Sequence, residues 1–461
     1  MARNAMQTAR QGAEISGHNL ANASNPTYAR QRVKISAAVA IPTEKGPQGS
    51  GSEVARLEQI RDYAIDSSIV SEKSVTKYLE TKQRQMRRAE ASLGQTLDRQ
   101  NIDAGESYGS YGVAEGLTNL FSSFQSLSAN PTSTAERQNT LFNAQKLADK
   151  MNIVDSRLSD LRAAINEEHD FEIESVNATI EQIAFLAASI GNTEIVEGAA
   201  NEIRDNMQAA LESLAQFVNI TTSTNDDGKL SLFIDGYEMI TDNTMTGSVK
   251  AHTDGNGMNF IADNKTGEIL TLKSGSVKGL IDVRDGTIKE LQDQLNLLAT
   301  NLITEVNAIH QAGYDLNGNN DSSLTFFTGT NAGNIGVNGS IIDDPRILQA
   351  AGVDESGDNA AIRSIANLRS VEISGLNNMT FGEHYGNTIS RFGQDMALTD
   401  VRLADQKSVE NMLLKQRDSV QGVSIDEEVA NLVIFQRAFQ ASARLITTMD
   451  KLMGDVINMQ G

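Results

Sequence analysis

The stretch from Ser424 to the C-terminus carries Ile425, Leu432, Phe439, Ile446 and Met453 at every seventh position, with Phe435, Met449 and Val456 at the alternate heptad position. That spacing draws a narrow apolar seam along one face of a long helix. No Gly or Pro interrupts the run before Gly454, and its start is well marked: Ser424 and Glu427 form a capping box, and Asp426, Glu427 and Glu428 suit the positive end of a helix. Such a helix is about 50 Å long. A seam this narrow needs a partner, because isolated helices are marginal in water.

The nearest candidate is the other end of the chain. Met6, Ala9, Ala13, Leu20 and Ala23 keep a similar spacing with mostly small residues, which predicts a slimmer helix from about Ala2 to Asn22. Residues 1–36 hold five basic residues (Arg3, Arg10, Arg30, Arg32, Lys34) against Glu14 alone, whereas residues 424–461 hold three basic and five acidic. Two ordinary core helices would give a similar pattern. Opposite charge at the two ends favours a terminal coiled coil of residues 1–36 with 424–461, built for assembly.

The chain of 461 residues has room for several domains, and its net charge of −21 with no basic, aromatic-interleaved stripe argues against nucleic acid and anionic membranes as partners. No apolar run reaches the length of a membrane span, and Met1-Ala2-Arg3-Asn4 leads into no apolar core of a secretory signal. The absence of Cys excludes disulfides, thiol nucleophiles and thiolate metal sites. Five Pro in the whole chain suit long helices.

After Asn25-Pro26 the segment from Tyr28 to Ile41, followed by Pro42 and Pro47, reads as extended chain and linker. Val54 to about Leu97 reads as a solvated helix, interrupted by the Gly/Ser/Tyr patch Gly105–Gly112. A short apolar helix carrying Leu117, Leu120, Phe121, Phe124 and Leu127 stops at Asn130-Pro131, and Ser133 with Glu136 caps the next. Leu147, Met151, Val154, Leu158, Leu161 and Ile165 run at 4-3-4-3-4 spacing, and Ile173, Val176, Ile180, Ile183, Ala187 and Ile190 resume one residue out of phase. This predicts one long helix, irregular near His169. Ile203 to Val218 is a further helix. Short strands then alternate with Asp227-Gly228, Asp235-Gly236, Asp254-Gly255 and Thr266-Gly267, describing a small antiparallel β domain. Helix returns from Ile288 to Ile309. A Gly/Asn-rich region follows, and Ile389 to about Arg417 is again helical. The expected fold is mainly α with a small β insertion: the terminal coiled coil, a bundle of long helices (50–215 with 280–417) and an antiparallel β domain (216–279).

No catalytic constellation emerges. His18, His169, His252, His310 and His384 lie on separate elements without paired spacing, and Glu168, His169, Asp170 and Glu172 read as a solvated face rather than a metal cluster. Asp315-Leu316-Asn317-Gly318-Asn319 begins like a calcium loop but has Asn320 and Phe326 where that loop needs Gly and Glu, which leaves an Asn/Gly turn. Nothing argues for an enzyme.

Three segments carry a resemblance. Gly17-His18-Asn19-Leu20-Ala21-Asn22-Ala23-Ser24-Asn25-Pro26-Thr27-Tyr28-Ala29-Arg30-Gln31 resembles the motif shared by rod, hook and hook-associated proteins of the bacterial flagellum. Leu120 to Pro131 with Arg137 is similar, more narrowly, to flagellar hook-associated protein 1 (FlgK). Gln416 to Glu428, with Asn431, Leu432, Gln436, Ala438, Gln440, Ala441 and Ala443, resembles the C-terminal signature of the same family, and Ala312-Gly313-Tyr314-Asp315 extends the likeness. Thr27 stands where the family usually has Gly, and the chain begins several residues late compared with it, near the family's export signal.

This resemblance implies a structural subunit of the hook–filament junction, without cofactor or reaction. It implies export of the unfolded chain by the flagellar type III apparatus, a cytoplasmic chaperone on the C-terminal helix before export, and an extracellular place in the flagellum. The implied partners are the hook protein, the second junction protein and further copies in a tubular ring, with no membrane insertion. The assembly and chaperone seam is then Ile425, Leu432, Phe435, Phe439, Ile446, Met449, Met453 and Val456, and the axial motif supplies Gly17, His18, Asn19, Asn22, Asn25, Pro26, Tyr28, Arg30 and Gln31. From the residues alone, a non-flagellar coiled-coil adaptor or a surface adhesin binding through the β domain remains the alternative. A hydrolase ranks third.

Overall fold

A computed structural model describes residues 1–43, 46–94, 112–193, 200–225, 227–355 and 357–459. Along the chain run α1 (Ala2–Ala21), β1 (Gln31–Ala37), β2 (Ile41–Thr43), β3 (Gly46–Gln48), β4 (Ser52–Gln59), α2 (Tyr63–Leu93), α3 (Val113–Ala129), α4 (Thr134–Thr193) and α5 (Asn201–Phe217). Next come β5 (Ile220–Thr224), β6 (Leu230–Ile234), β7 (Tyr237–Thr241), β8 (Thr244–Met245), β9 (Val249–Thr253) and β10 (Asn259–Asp263). The chain closes with α6 (Ser276–Asp282), a π-helical turn (Val283–Ile288), α7 (Lys289–Gln311), β11 (Phe327–Thr328), β12 (Gly336–Val337), α8 (Gly339–Asp343), α9 (Ala360–Asn367), α10 (Phe381–Gln421) and α11 (Ile425–Asn458). The fold is mainly α with small antiparallel sheets. The patch Gly105–Gly112 lies outside the described residues except for Gly112.

Two compact units form. One comprises residues 1–78, 172–277 and 404–461, the other 79–171 and 278–403. The residues 50–215, assigned from sequence to one bundle, contribute to both.

The second unit has one hydrophobic core. Leu117, Leu120, Phe121, Phe124 and Leu127 of α3 pack with Leu147, Met151, Val154 and Leu158 of α4, Leu295 and Leu298 of α7, Phe326 and Phe381. Fully burying each large side chain contributes about 1.5–3 kcal/mol. Arg137 is buried beside this core. Its Nη1 donates to the carbonyl of Leu348 (2.6 Å) and its Nε to that of Pro131 (3.0 Å), fixing the turn that ends α3. The π turn holds Asp285-Gly286, which reads as a loop signal in sequence and hid the true start of this helical stretch at Ser276. The Gly/Asn-rich region folds into short elements, and α10 begins at Phe381, ahead of the expected Ile389.

In the first unit, β5-β6-β7-β8 is an antiparallel meander and β9-β10 a separate hairpin, as the turn signals indicate. Asp235 (φ 51°) and Gly236 (φ 83°) make the positive-φ pair of a two-residue hairpin turn between β6 and β7.

One expectation needs correction. Val54 does not begin a helix. Ser52–Gln59 is β4, paired with β1, and a register shift opposite Lys34 and Ile35 leaves Ala55 unpaired, so Val54 and Leu57 face the same side three residues apart and imitate helical spacing. The segment read as linker is thus half of a hairpin, carried further by β2-β3. The single long helix expected here is present: α4 runs from Thr134 to Thr193 and stays helical through His169, where an irregularity was expected. Leu161, Ile165, His169 and Ile173 are all buried at steps of four, so the seam shifts phase by a stutter with His169 inside it.

Candidate assembly surface

The terminal helices α1 and α11 pack against each other over most of α1. Gly12 is the point of closest fit, where a β-carbon would stand 2.5 Å from the Phe435 ring. Small residues let the backbone of α1 approach: Ala9, Gly12 and Ser16 are buried. The partnered face of α11 steps through Glu428, Leu432, Phe435, Phe439, Ser442 and Ile446. Glu428 is buried, Leu432, Phe435 and Ser442 are half-buried, and Phe439 and Ile446 stay 37% exposed. Ala2, at the start of α1, shares an apolar cleft with Ile446, Met449 and Met453. Beyond it α11 runs on to Asn458, and the seam residues Met449, Met453 and Val456 are exposed, as is Ile425 at the other end. Asn431, next to Leu432 in sequence, is half-buried, whereas Arg437 is exposed.

A second stripe lies off the sevenfold register of Ile425. Ile434, Ala438, Ala441, Leu445 and Leu452 follow one another at helical spacing, all exposed, with Ile434 at 61%, Leu445 at 54% and Leu452 at 55%. It lies beside the seam and outside the cover of α1.

The N-terminal motif forms the knot from which this pair extends. Tyr28 Oη donates to Asn19 Oδ1 (2.7 Å), which also accepts from the backbone N–H of Gln31 (3.0 Å), while Asn19 Nδ2 donates to the carbonyl of Gln31 (2.8 Å). His18 bridges Tyr28 Oη (3.0 Å) and Glu202 (2.7 Å). Burial, with Asp205 and Glu202 nearby, pushes the Tyr28 hydroxyl well above its ordinary pKa. Asn22 Nδ2 donates to the carbonyl of His18, and Asn25 Oδ1 accepts from the N–H of Thr27 (3.2 Å), an Asx turn around Pro26. Thr27 is not among the positive-φ residues, so it occupies the family's Gly position without strain. Gly17 has open space where a side chain would be.

Around this knot lies a buried ionic cluster that no sequence pattern announced. Arg61 meets Asp205 at 2.5 Å and Asp66 at 3.5 Å; Arg417 meets Glu212 at 2.5 Å and Asp66 at 3.8 Å; Lys73 meets Glu212 at 2.5 Å. Asp205 also accepts from Gln59 Nε2 (2.7 Å) and from the N–H of Ala29 (3.3 Å), which ties α5 to the motif. Burial pushes the Asp205 carboxyl up to about 6 and raises Asp66 too, in both cases against neighbouring arginines. Burial also pushes Glu212 upward, but Lys73 and Arg417 outweigh it and hold it below the usual range. Arg30 reaches outward from the motif to Glu428 (2.7 Å) and Glu427 (2.8 Å) at the start of α11. Ser424 caps that helix through Glu427 N–H, yet the Glu427 carboxylate serves Arg30, so only half of the expected capping box forms.

The remaining polar candidates are structural. Asp315 Oδ1 accepts from the N–H groups of Asn317 and Asn319 (both 2.8 Å), closing the calcium-like loop on itself. Glu168 pairs with Arg84 and Arg88, Glu172 with Ser276, and His169 is buried. Among the described residues no group of three or more His, Asp or Glu could hold a metal, and no helix is long and apolar enough to cross a membrane. His310 and His384, like His169, are buried rather than on the surface.

Residues 100–327 match the family model for the helical domain of flagellar hook-associated protein FlgK, and residues 417–459 match that for the C-terminal region of flagellar basal body rod FlgEFG proteins. Flagellar hook-associated protein 1 of Bacillus subtilis is 25% identical, the alignment covering 100% of this chain and 97% of that protein. Its counterpart from Escherichia coli is 22% identical over 97% and 95%. The flagellar hook junction protein FlgK from Burkholderia pseudomallei superposes with a TM-score of 0.49 and 21% identity over 57% of this chain and 46% of that one. On both domain models and these full-length relatives, the chain belongs to the flagellar hook-associated protein 1 (FlgK) family.

Proposed function

We propose that the protein is a structural subunit of the hook–filament junction that polymerises through α1 and α11. The observation that carries this reading is the second apolar stripe of α11. One stripe is partly covered by α1, and the other, with Ile434, Leu445 and Leu452, is bare in the monomer. Exposed apolar surface on this scale marks an interaction site. In a tubular ring a neighbouring copy would cover it, so the ends gain order on assembly.

On this reading residues 1–36 and 424–461 form the assembly domain, with the long-helix bundle and the β domain (216–279) outside it. The hook protein and the second junction protein flank the ring. Before export through the type III apparatus a cytoplasmic chaperone would shield the same C-terminal helix, and the assembled subunit would be extracellular.

Complementation of a strain lacking its own copy of this gene tests the reading. The full chain should restore filaments on hooks. The chain ending at Val423 should leave bare hooks while its remainder stays folded. Filaments grown with the shortened chain would refute it.

A further inference from the structure

Arg30 stands where three elements converge. Its backbone N–H donates to the carbonyl of Gln421 (2.9 Å), the last residue of α10, and its carbonyl accepts from the N–H of Ile60 (2.8 Å), just past β4. Its side chain forks to the first turn of α11: Nε to Glu428 Oε1 at 2.7 Å and Nη1 to Glu427 Oε2 at 2.8 Å. Glu428 and Gln421 are both buried. Only Gly422, Val423 and Ser424 separate α10 from α11, and a β-carbon on Gly422 would run into the carbonyl oxygen of Asp418. The joint between the two helices is therefore a tight bend, and Arg30 spans it from the N-terminal side.

We infer that Arg30 is the positioning residue that sets the register of α11 against α1 and its direction away from α10. Ser424 alone satisfies the cap, which leaves Glu427 for the clamp. An arginine fork held by two consecutive carboxylates fixes rotation about the helix axis as well as distance, which a lysine ammonium cannot do. Rotation matters here because the two apolar stripes of α11 lie side by side: a turned helix would offer α1 the wrong one. This inference rests on the proposed assembly through α11 only for its functional consequence.

The absence of native cysteine makes the test clean. Full-length chains carrying Gly12→Cys with Phe435→Cys, or Gly12→Cys and Phe435→Ala with either Leu432→Cys or Phe439→Cys so that no ring crowds position 12, are oxidised, and the yield of internal disulfide is measured with Arg30 intact, as Arg30→Lys, as Arg30→Glu, and as Arg30→Glu with Glu427→Arg. With Arg30 intact, the 12–435 pair should exceed the other two by about tenfold, the ratio one charge-assisted hydrogen bond can sustain. Arg30→Glu should bring the three yields within about twofold of one another, Arg30→Lys should fall between, and the charge exchange should recover most of the preference. Equal yields with Arg30 intact, or an unchanged preference in Arg30→Glu, would overturn the inference. Neither result bears on whether α11 is needed for filaments, which the shortened chain decides separately.

Discussion

Arg61 and Asp205 lie 2.5 Å apart with both side chains sealed from solvent, joining the strand end after β4 to α5 across 144 residues of chain. Burial nevertheless leaves the Asp205 pKa at about 6, above its ordinary value of 3.8. A carboxyl whose folded pKa is raised binds its proton more tightly in the folded state. Its stabilising contribution is present at low pH and is lost as pH climbs from about 4 through 6, by on the order of 3 kcal/mol. The stability of Asp205→Asn relative to the unaltered protein should therefore improve by about 2 kcal/mol between pH 4.5 and 7.5, since at pH 4.5 part of the contribution has already gone. Urea unfolding followed by circular dichroism at the two pH values measures it, and a pH-independent difference would show that Asp205 is ionised throughout.

His310 titrates in the opposite sense. Its Nδ1 donates to the carbonyl of Leu324 and its Nε2 accepts from the N–H of Gln349, so the neutral ring is fixed, and burial lowers its pKa to about 4. The unfolded chain takes up this proton near pH 6.5, so stability is full above that value and falls as pH drops towards 4, by on the order of 3 kcal/mol. His310→Gln should be less stable than the unaltered protein at pH 7.5, by about 1–3 kcal/mol for the broken hydrogen bonds. That gap should shrink at pH 5.

The contact between Gly12 and Phe435 leaves no space. Gly12→Ala should strain the helix pair by about 1–3 kcal/mol, and Phe435→Ala should relieve the strain, so the double substitution should cost less than the sum of the two singles. Thermal unfolding of the four proteins gives the coupling. Strict additivity would mean that the two residues do not meet.

The two stripes of α11 should separate by experiment. Leu432→Asp puts a carboxylate against α1 and should weaken both the helix pair and assembly, whereas Leu445→Asp should leave the monomer's helicity unchanged and still block filament growth, because an unpaired charge is costly in a buried apolar contact. Arg437→Ala should be neutral. Swimming of complemented strains and circular dichroism of the free proteins provide the readouts. Normal motility with Leu445→Asp would mean that the second stripe remains uncovered in the assembly.

Regular periodicity made the helices legible. The seam of α11, the run in α4 and the Asp-Gly turns of the β region each sit within a few residues of one another, so local spacing carries them. Ala55 shows how one inserted residue defeats the method, since the bulge it makes turns an alternation of two into a step of three. The ionic cluster was illegible for another reason: Asp66, Asp205, Glu212 and Arg417 come together only in the folded chain. A count in sevens from Ile425 follows one stripe of α11 and passes over the stripe through Leu445, which lies off that register.

The first unit draws on three separated pieces of chain, the last beginning at residue 404. Helix α1 therefore cannot meet α11 until synthesis has passed Ile425, and at about 5–20 residues per second the wait is on the order of a minute. Contacts this remote in sequence form late and slowly. A first helix built of leucines would spend that interval seeking other hydrophobic company. Ala5, Ala9, Gly12, Ala13 and Ser16 offer little to seize, and the bulky residues that complete the pair, Leu432, Phe435 and Phe439, are made only after the whole of the intervening chain. The division of small and large side chains between the two ends thus acts in time as well as in space: the half that must wait is the half that is safest to leave uncovered.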